Sequence, residues 1–294
     1  MVRLAHAPRP GRRAPPGTSL VELIVVIVLL AAIGSATLGV VIHQERFYRE
    51  QSSAIDARAS VRDAISVLQS DLRALTPSDG DLYAINPNAV EFRATLSQSA
   101  ICTISPSRQS VTIPPAQLAS GAPITWLGTQ PEAGDTLLVM AGDSLGDSWQ
   151  RHVLTVAPSS TGSCPTSSGL TTSAAESASA LTLTFTPPLD LAIAPGALLR
   201  VVRRARYELY RASDSRWYLG YLDCLASRAT PCNTVQPVSG PFEPLGIRLA
   251  YLDRGGAFTA DPFRVARIDV LAIASRRSSP ATLDSLATTI ALRN

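Results

Sequence analysis

Apolar residues fill the stretch from Leu23 to Ile42 without one charged side chain. As a helix those roughly 20 positions are about 30 Å long, enough to cross the hydrocarbon core of a bilayer. Beyond Ile42 the pattern becomes mixed. Phe47, Ile55, Val61, Ile65, Leu68, Leu72 and Leu75 recur largely at spacings near three and four, which predicts that the helix continues with one apolar stripe laid on a core. Arg46, Arg49, Glu50, Arg58, Arg62 and Asp63 are expected on the outward side. No proline occurs between Thr18 and Thr76, so a single helix of up to about 59 residues, about 88 Å, is permitted. Gly34 and Gly39 weaken its apolar half modestly, and Gly39 is the expected point for any local unwinding. Thr76, Pro77, Ser78, Asp79 and Gly80 end the helix.

From residue 80 onward short β-type runs alternate with Gly, Pro and Ser. Candidate strands are Ala89 to Thr95, Ala100 to Ile104, Ser110 to Ile113, Thr136 to Ala141, Arg151 to Ala157, Ala180 to Thr186, Leu198 to Tyr210, Arg216 to Leu222, Leu245 to Asp253, Phe263 to Ser275 and Thr288 to Arg293. Short strands flanked by turn formers favour an antiparallel sheet over alternating strand and helix. Ala212 to Ser215 is the expected turn between two Tyr-rich strands, and Val265 to Ser275 the expected hairpin partner of the strand ending at Asp253. Ser159 to Ser179 is rich in Ser, Thr and Gly and reads as a surface loop. The expected fold is therefore α+β: a long N-terminal helix, with a transmembrane half and an amphipathic half, packed on an antiparallel β-sheet globular domain. The expected segments are a leader at 1–17, the helix at 18–76 with its transmembrane segment at 20–42, and a β-rich extracytoplasmic domain at 77–294.

Charge sharpens this picture. The chain has 294 residues, 26 basic and 23 acidic, a formal net charge of +3, and all the basic residues are arginine. Arg3, Arg9, Arg12 and Arg13 lie ahead of the apolar run, and without them the balance falls to about −1. The basicity thus belongs to the leader, and nucleic acid is not an expected partner of the body. The apolar content excludes a wholly disordered chain, and the single long apolar run excludes a multi-pass protein. Arginines before the run should stay cytoplasmic and leave the remainder outside the inner membrane. The run is too long for the apolar core of an ordinary secretory signal, and the natural break, Pro15-Pro16-Gly17, precedes it; Thr18 or Ser19 can cap the helix start. Glu22, one residue before the run, is costly near hydrocarbon and needs either the headgroup region beside the helix N-terminus or a cationic partner.

Gly17, Thr18, Ser19, Leu20, Val21, Glu22 and Leu23, placed between arginines and an unbroken apolar helix, resemble the prepilin-type cleavage and methylation motif of type IV pilins and type II secretion pseudopilins. The resemblance implies that Gly17 precedes the bond cut by a prepilin peptidase, that Thr18 becomes an N-methylated N-terminus, and that Glu22 serves filament assembly. Thr18 stands where the family usually has Phe. A looser resemblance covers residues 198 to 278: the Tyr-rich strand pair, Leu249-Ala250-Tyr251-Leu252-Asp253 with its glycines, and a Val and Ile strand ending in Arg276 and Arg277. It is to the larger minor pilins and pseudopilins of the W and J types. The implied role is a minor subunit that helps to initiate or cap a type IV pilus, or serves as a minor pseudopilin of a type II secretion system. Implied partners are other major and minor pilins or pseudopilins, the prepilin peptidase, an inner-membrane assembly platform and the lipid bilayer. The implied location is single-pass in the inner membrane, with the body in the periplasm or outside the cell. A signal-anchored adhesin or binding module that never polymerises is the alternative of a different class.

Four cysteines, Cys102, Cys164, Cys224 and Cys232, in an extracytoplasmic body suggest disulfides, for which three pairings exist. The short spacing of Cys224 and Cys232 favours a local bond, with Cys102 to Cys164 as its complement. Without CxxC pairs, and with His6, His43 and His152 poorly placed, a zinc site is disfavoured. Asp135, Asp143 and Asp147 lack the remainder of a calcium loop and read as an acidic turn. His152 is the one histidine of the body, and no nucleophile-elbow, zincin, P-loop or dinucleotide motif occurs, so neither an enzyme nor a cofactor is expected. Arg200, Arg203, Arg204 and Arg206 are expected to form one exposed strand face.

Overall fold

The computed structural model describes residues 19–143, 146–225, 232–275 and 284–293, and the chain divides into two compact units, residues 1–53 and 54–294. Helix α1 spans Leu20–Leu72. In the first unit its apolar positions are exposed all round, from Leu20 at 74% to Ile42 at 45%. Gly34 and Gly39 do not interrupt it. The Ser35 and Thr37 hydroxyls donate to the carbonyls of Ala32, Ile33 and Gly34, so the apolar segment satisfies its own polar side chains.

In the second unit α1 buries Ala57, Val61, Ala64, Ile65, Leu68 and Leu72, a stripe repeating at three and four residues, and leaves Arg58, Arg62 and Asp63 exposed. Phe47 and Ile55, expected in that stripe, are 51% and 65% exposed. Ala57 and Ala64 take inward positions instead and join the buried core. The helix ends at Leu72, and after a short turn Pro77–Asp79 forms a 3-10 turn closed by Gly80 at φ 76°, a left-handed conformation suited to glycine.

Thirteen strands follow among the described residues: β1 (Leu82–Asn86), β2 (Ala89–Ala100), β3 (Thr103–Ile104), β4 (Ser110–Ile113), β5 (Trp126–Leu127), β6 (Thr136–Asp143), β7 (Gly146–Leu154), β8 (Leu181–Thr186), β9 (Leu198–Arg211), β10 (Trp217–Asp223), β11 (Val235–Leu252), β12 (Arg267–Ala274) and β13 (Asp284–Ala291). Their order is β13-β12-β11-β10-β9-β6-β7-β8-β4-β3, with β2 on the other side of β9 and paired also with β1 and β5. Every named pairing is antiparallel. The α+β expectation of a helix packed on an antiparallel sheet holds.

β9 is the spine. Its second half, Ala205 to Arg211, pairs with β10, its first half, Leu199 to Val202, with β6, and β2 runs along the opposite edge. Alternation along β9 puts Leu199, Val201, Arg203, Ala205, Tyr207 and Leu209 on one buried face. Ala205, Tyr207 and Leu209 join the core beneath α1, whereas Leu199 and Val201 join a second core with Ile101, Leu137, Leu183 and Phe185. Arg203 stands where one core gives way to the other.

The 159–179 stretch is more ordered than a plain surface loop. Ser173 and Glu176 form a capping box on a short helix α2 (Ala174–Ala178), and the Glu176 carboxylate also accepts from the Ala119 and Thr172 backbone N–H groups. Cys164 is fully buried and bonded to Cys102. A disulfide and a clamped carboxylate hold this segment where its composition suggested only polarity.

Candidate functional site

The first candidate site is the start of α1. The Leu23 N–H donates to the Ser19 carbonyl at 3.2 Å, so Ser19 occupies the flanking position before the helix. Glu22 lies in the first turn, exposed, with no ion-pair partner among the described residues. Gly17 and Thr18 lie outside the described residues. From Leu23 to Ile42 the helix presents an uncharged, largely apolar surface. Apolar surface of this extent needs lipid or other helices to cover it.

In the body the cysteines form Cys102–Cys164 and Cys224–Cys232, with Cα separations of 5.2 and 4.2 Å. Glu91 lies close to Cys224 and Cys232, a grouping that could suggest a metal, but the two sulfurs are bonded to each other and offer no thiolate. Asp135 faces inward: Arg203 donates from Nε and Nη2 to its two carboxylate oxygens, both at 2.6 Å. Arg203 Nη1 reaches Asp223 at 2.7 Å and Glu132 at 3.4 Å. Burial alone would lower the Arg203 pKa, but Asp135 and Asp223 raise it well above its ordinary value, so the guanidinium stays charged. The side chains of Asp143 and Asp147 lie outside the described residues.

The arginine run is not one exposed face. Arg203 falls on the opposite parity of β9 from Arg200, Arg204 and Arg206 and is 4% exposed. Arg204 pairs with Glu91, and Arg206 with Glu208 at 2.7 Å. Arg200 alone of the four forms no ion pair among the described residues, and its guanidinium lies 4.3 Å from the Trp149 ring centroid. Arg276 and Arg277 lie outside the described residues. His152 is 2% exposed, bonds the Pro187 carbonyl through Nδ1 at 2.7 Å, and packs on Phe185.

Two relationships escaped the linear pattern. Tyr207 donates to Asp71 on α1 at 2.7 Å, stacks on Phe92 at 5.4 Å and meets Tyr221 edge-on at 5.3 Å. Beside this cluster opens a groove of about 1030 Å³, reaching from the end of α1 to β5, β7 and β9. No sequence motif marks it: its lining draws side chains from α1, β2, β5, β7, β9, β10 and β11. The fold is a pilin-like α+β architecture: a long helix, apolar in its N-terminal part, whose amphipathic part packs on an antiparallel sheet. No family model, curated protein or solved structure matches the chain.

Proposed function

We propose that the chain is a minor subunit that helps to initiate or cap a type IV pilus filament, a structural role without catalysis. The observation that carries this reading is one continuous helix, α1, whose first part is apolar on every side with Glu22 in its opening turn and whose last part supplies a core stripe to an antiparallel sheet. The resemblance of Gly17 to Leu23 to the prepilin motif agrees with it. On this reading a prepilin peptidase cuts after Gly17, and the apolar helix waits in the inner membrane with the body outside. The assembly platform then moves it into a bundle of like helices. There Glu22 pairs with the new amine of a neighbouring subunit's Thr18, since two opposite charges desolvated together cost less than either alone. The same build would serve a minor pseudopilin of type II secretion. His152, held by a carbonyl and an aromatic ring, supports a packing role for the body's one histidine.

N-terminal mass spectrometry of membrane-fraction protein, with and without the host's prepilin peptidase, tests this. A start at Thr18 that depends on the peptidase is expected; a start at Met1 in both strains would return the chain to the class of signal-anchored binding modules.

A further inference from the structure

The groove beside the Tyr207 cluster gathers aromatic and charged side chains from several elements, most of them outside both cores. Asp71 comes from the end of α1 and Asp79 from the turn after it, Trp126 from β5, Trp149 and Arg151 from β7, and Arg200 from β9. We propose that this groove binds an oligosaccharide. The site stands whether or not the chain enters a filament.

The two indoles are fixed without being buried. Trp126 is 52% exposed, yet its ring lies over the backbone of Gly128, where an added Cβ would fall 2.8 Å from a ring carbon. The Gly128 N–H is tied to the Leu96 carbonyl of β2 at 3.0 Å, so the floor under that ring belongs to the sheet. Trp149 is steadied by Arg200 at 4.3 Å. An exposed and a half-buried indole, both held in place, lose little freedom when a flat apolar face settles on them, and sugar rings present such a face through their C–H groups.

Charge selects among ligands with a flat face. Arg93, Arg151 and Arg200 line the groove together with Asp71, Asp79 and Asp81, so the wall is neutral in sum. A polyanion such as nucleic acid needs a wall with excess positive charge. A ligand rich in hydroxyls instead uses donors and acceptors together, and adjacent hydroxyl pairs match the two-pronged geometry of guanidinium, carboxylate and carboxamide. Gln98 and Gln236 add carboxamides to the lining. The volume of about 1030 Å³ lies just above the roughly 300–1,000 Å³ usual for small-molecule sites, which suits a short oligomer.

The test uses the full chain in a zwitterionic, sugar-free detergent, probed on an array of neutral and uronate-bearing oligosaccharides and then titrated by tryptophan fluorescence. Saturable binding is expected, weakened at least about tenfold in Trp126→Ala and in Arg200→Met. Gly128→Ala removes no lining side chain and should weaken binding severalfold by pushing the Trp126 ring off its floor. Melting curves matching the parent chain would show that these variants keep the fold. Selection of uronates would support the proposal and assign Arg151 and Arg200 to the carboxylate; selection of neutral sugars would support it through stacking. No binding across the array, binding unchanged in all three variants, or displacement by a single-stranded oligothymidylate would overturn it.

Discussion

Arg203 and Asp135 form a two-pronged ion pair inside the body, with both contacts at 2.6 Å and side chains 3% and 0% exposed. The pair sits where β9 passes from the core under α1 to the second core, so a charge is desolvated at the seam between two apolar clusters. Removing one partner leaves the other buried and uncompensated. Arg203→Met should therefore cost about 3–5 kcal/mol in urea unfolding of the full chain. Arg203→Met with Asp135→Leu should recover part of that loss, giving a coupling above about 1 kcal/mol. Losses below about 1 kcal/mol for the single variant would show that water reaches the seam.

Two buried phenols and a half-buried one make the body sensitive to alkali. Burial, followed by the Asp71 charge, raises the Tyr207 pKa, burial raises that of Tyr251, and burial with Asp223 pushes Tyr221 to about 12. In the unfolded chain these phenols ionise near 10, so above that pH the unfolded state binds fewer protons than the native one. Stability should be full below pH about 10 and fall as pH rises toward 12. Phenolate absorbance that follows loss of ellipticity would bear this out, and titration of the phenols within the folded state would contradict it. Tyr207→Phe should reduce the slope while costing about 1–2 kcal/mol at neutral pH for the lost bond to Asp71.

The two disulfides should differ in weight. Cys102–Cys164 closes 62 residues of chain and Cys224–Cys232 only 8. Loop-closure entropy gives about 4 kcal/mol for the longer loop against about 2.5 for the shorter. Replacing both cysteines of the longer bond by serine should lower the melting temperature more than the same change in the shorter. The reverse order would mean that the contacts of Glu176 and α2 hold the 159–179 segment without the bond.

Glu22→Ala separates processing from assembly. On the filament reading the variant should be cleaved after Gly17 at the parental rate, yet appear at least about tenfold less in the sheared filament fraction, because the charge facing a neighbour's amine is gone. Parental incorporation would remove the pairing from the account.

Periodicity made much of the architecture readable. The uncharged run from Leu23 to Ile42 and the stripe from Val61 to Leu72 each predict a helix face, and Ser110 to Ile113 and Leu198 to Tyr210 lie within a residue of the observed strands. Prolines misled at β11: the pattern starts that strand at Leu245, but it runs from Val235 through Pro237 and Pro241. Pro237 pairs with Gly220 of β10 at a position with no β12 partner among the described residues, and Pro241 lies just before the first β12 pair, Phe242 with Ala274, so neither proline breaks a ladder bond between described residues. The 159–179 segment misled in the opposite sense, since a disulfide partner more than sixty residues away in sequence leaves no local signature.

By itself the sequence determined what depends on neighbours within a few positions: an apolar helix long enough for a bilayer, the Gly17 to Leu23 motif, strands punctuated by turn residues, and the short Cys224 to Cys232 spacing. Tertiary structure alone decided which charges are buried, which indoles are exposed, and where the core divides. Arg203 meets Asp135 across 68 residues and Tyr207 meets Asp71 across 136, so both contacts exist only once β9 lies between its partner strands and α1 lies on the sheet. Alternation puts a residue on one face of a strand, but whether water, an apolar core or a carboxylate waits there depends on elements far away in the chain.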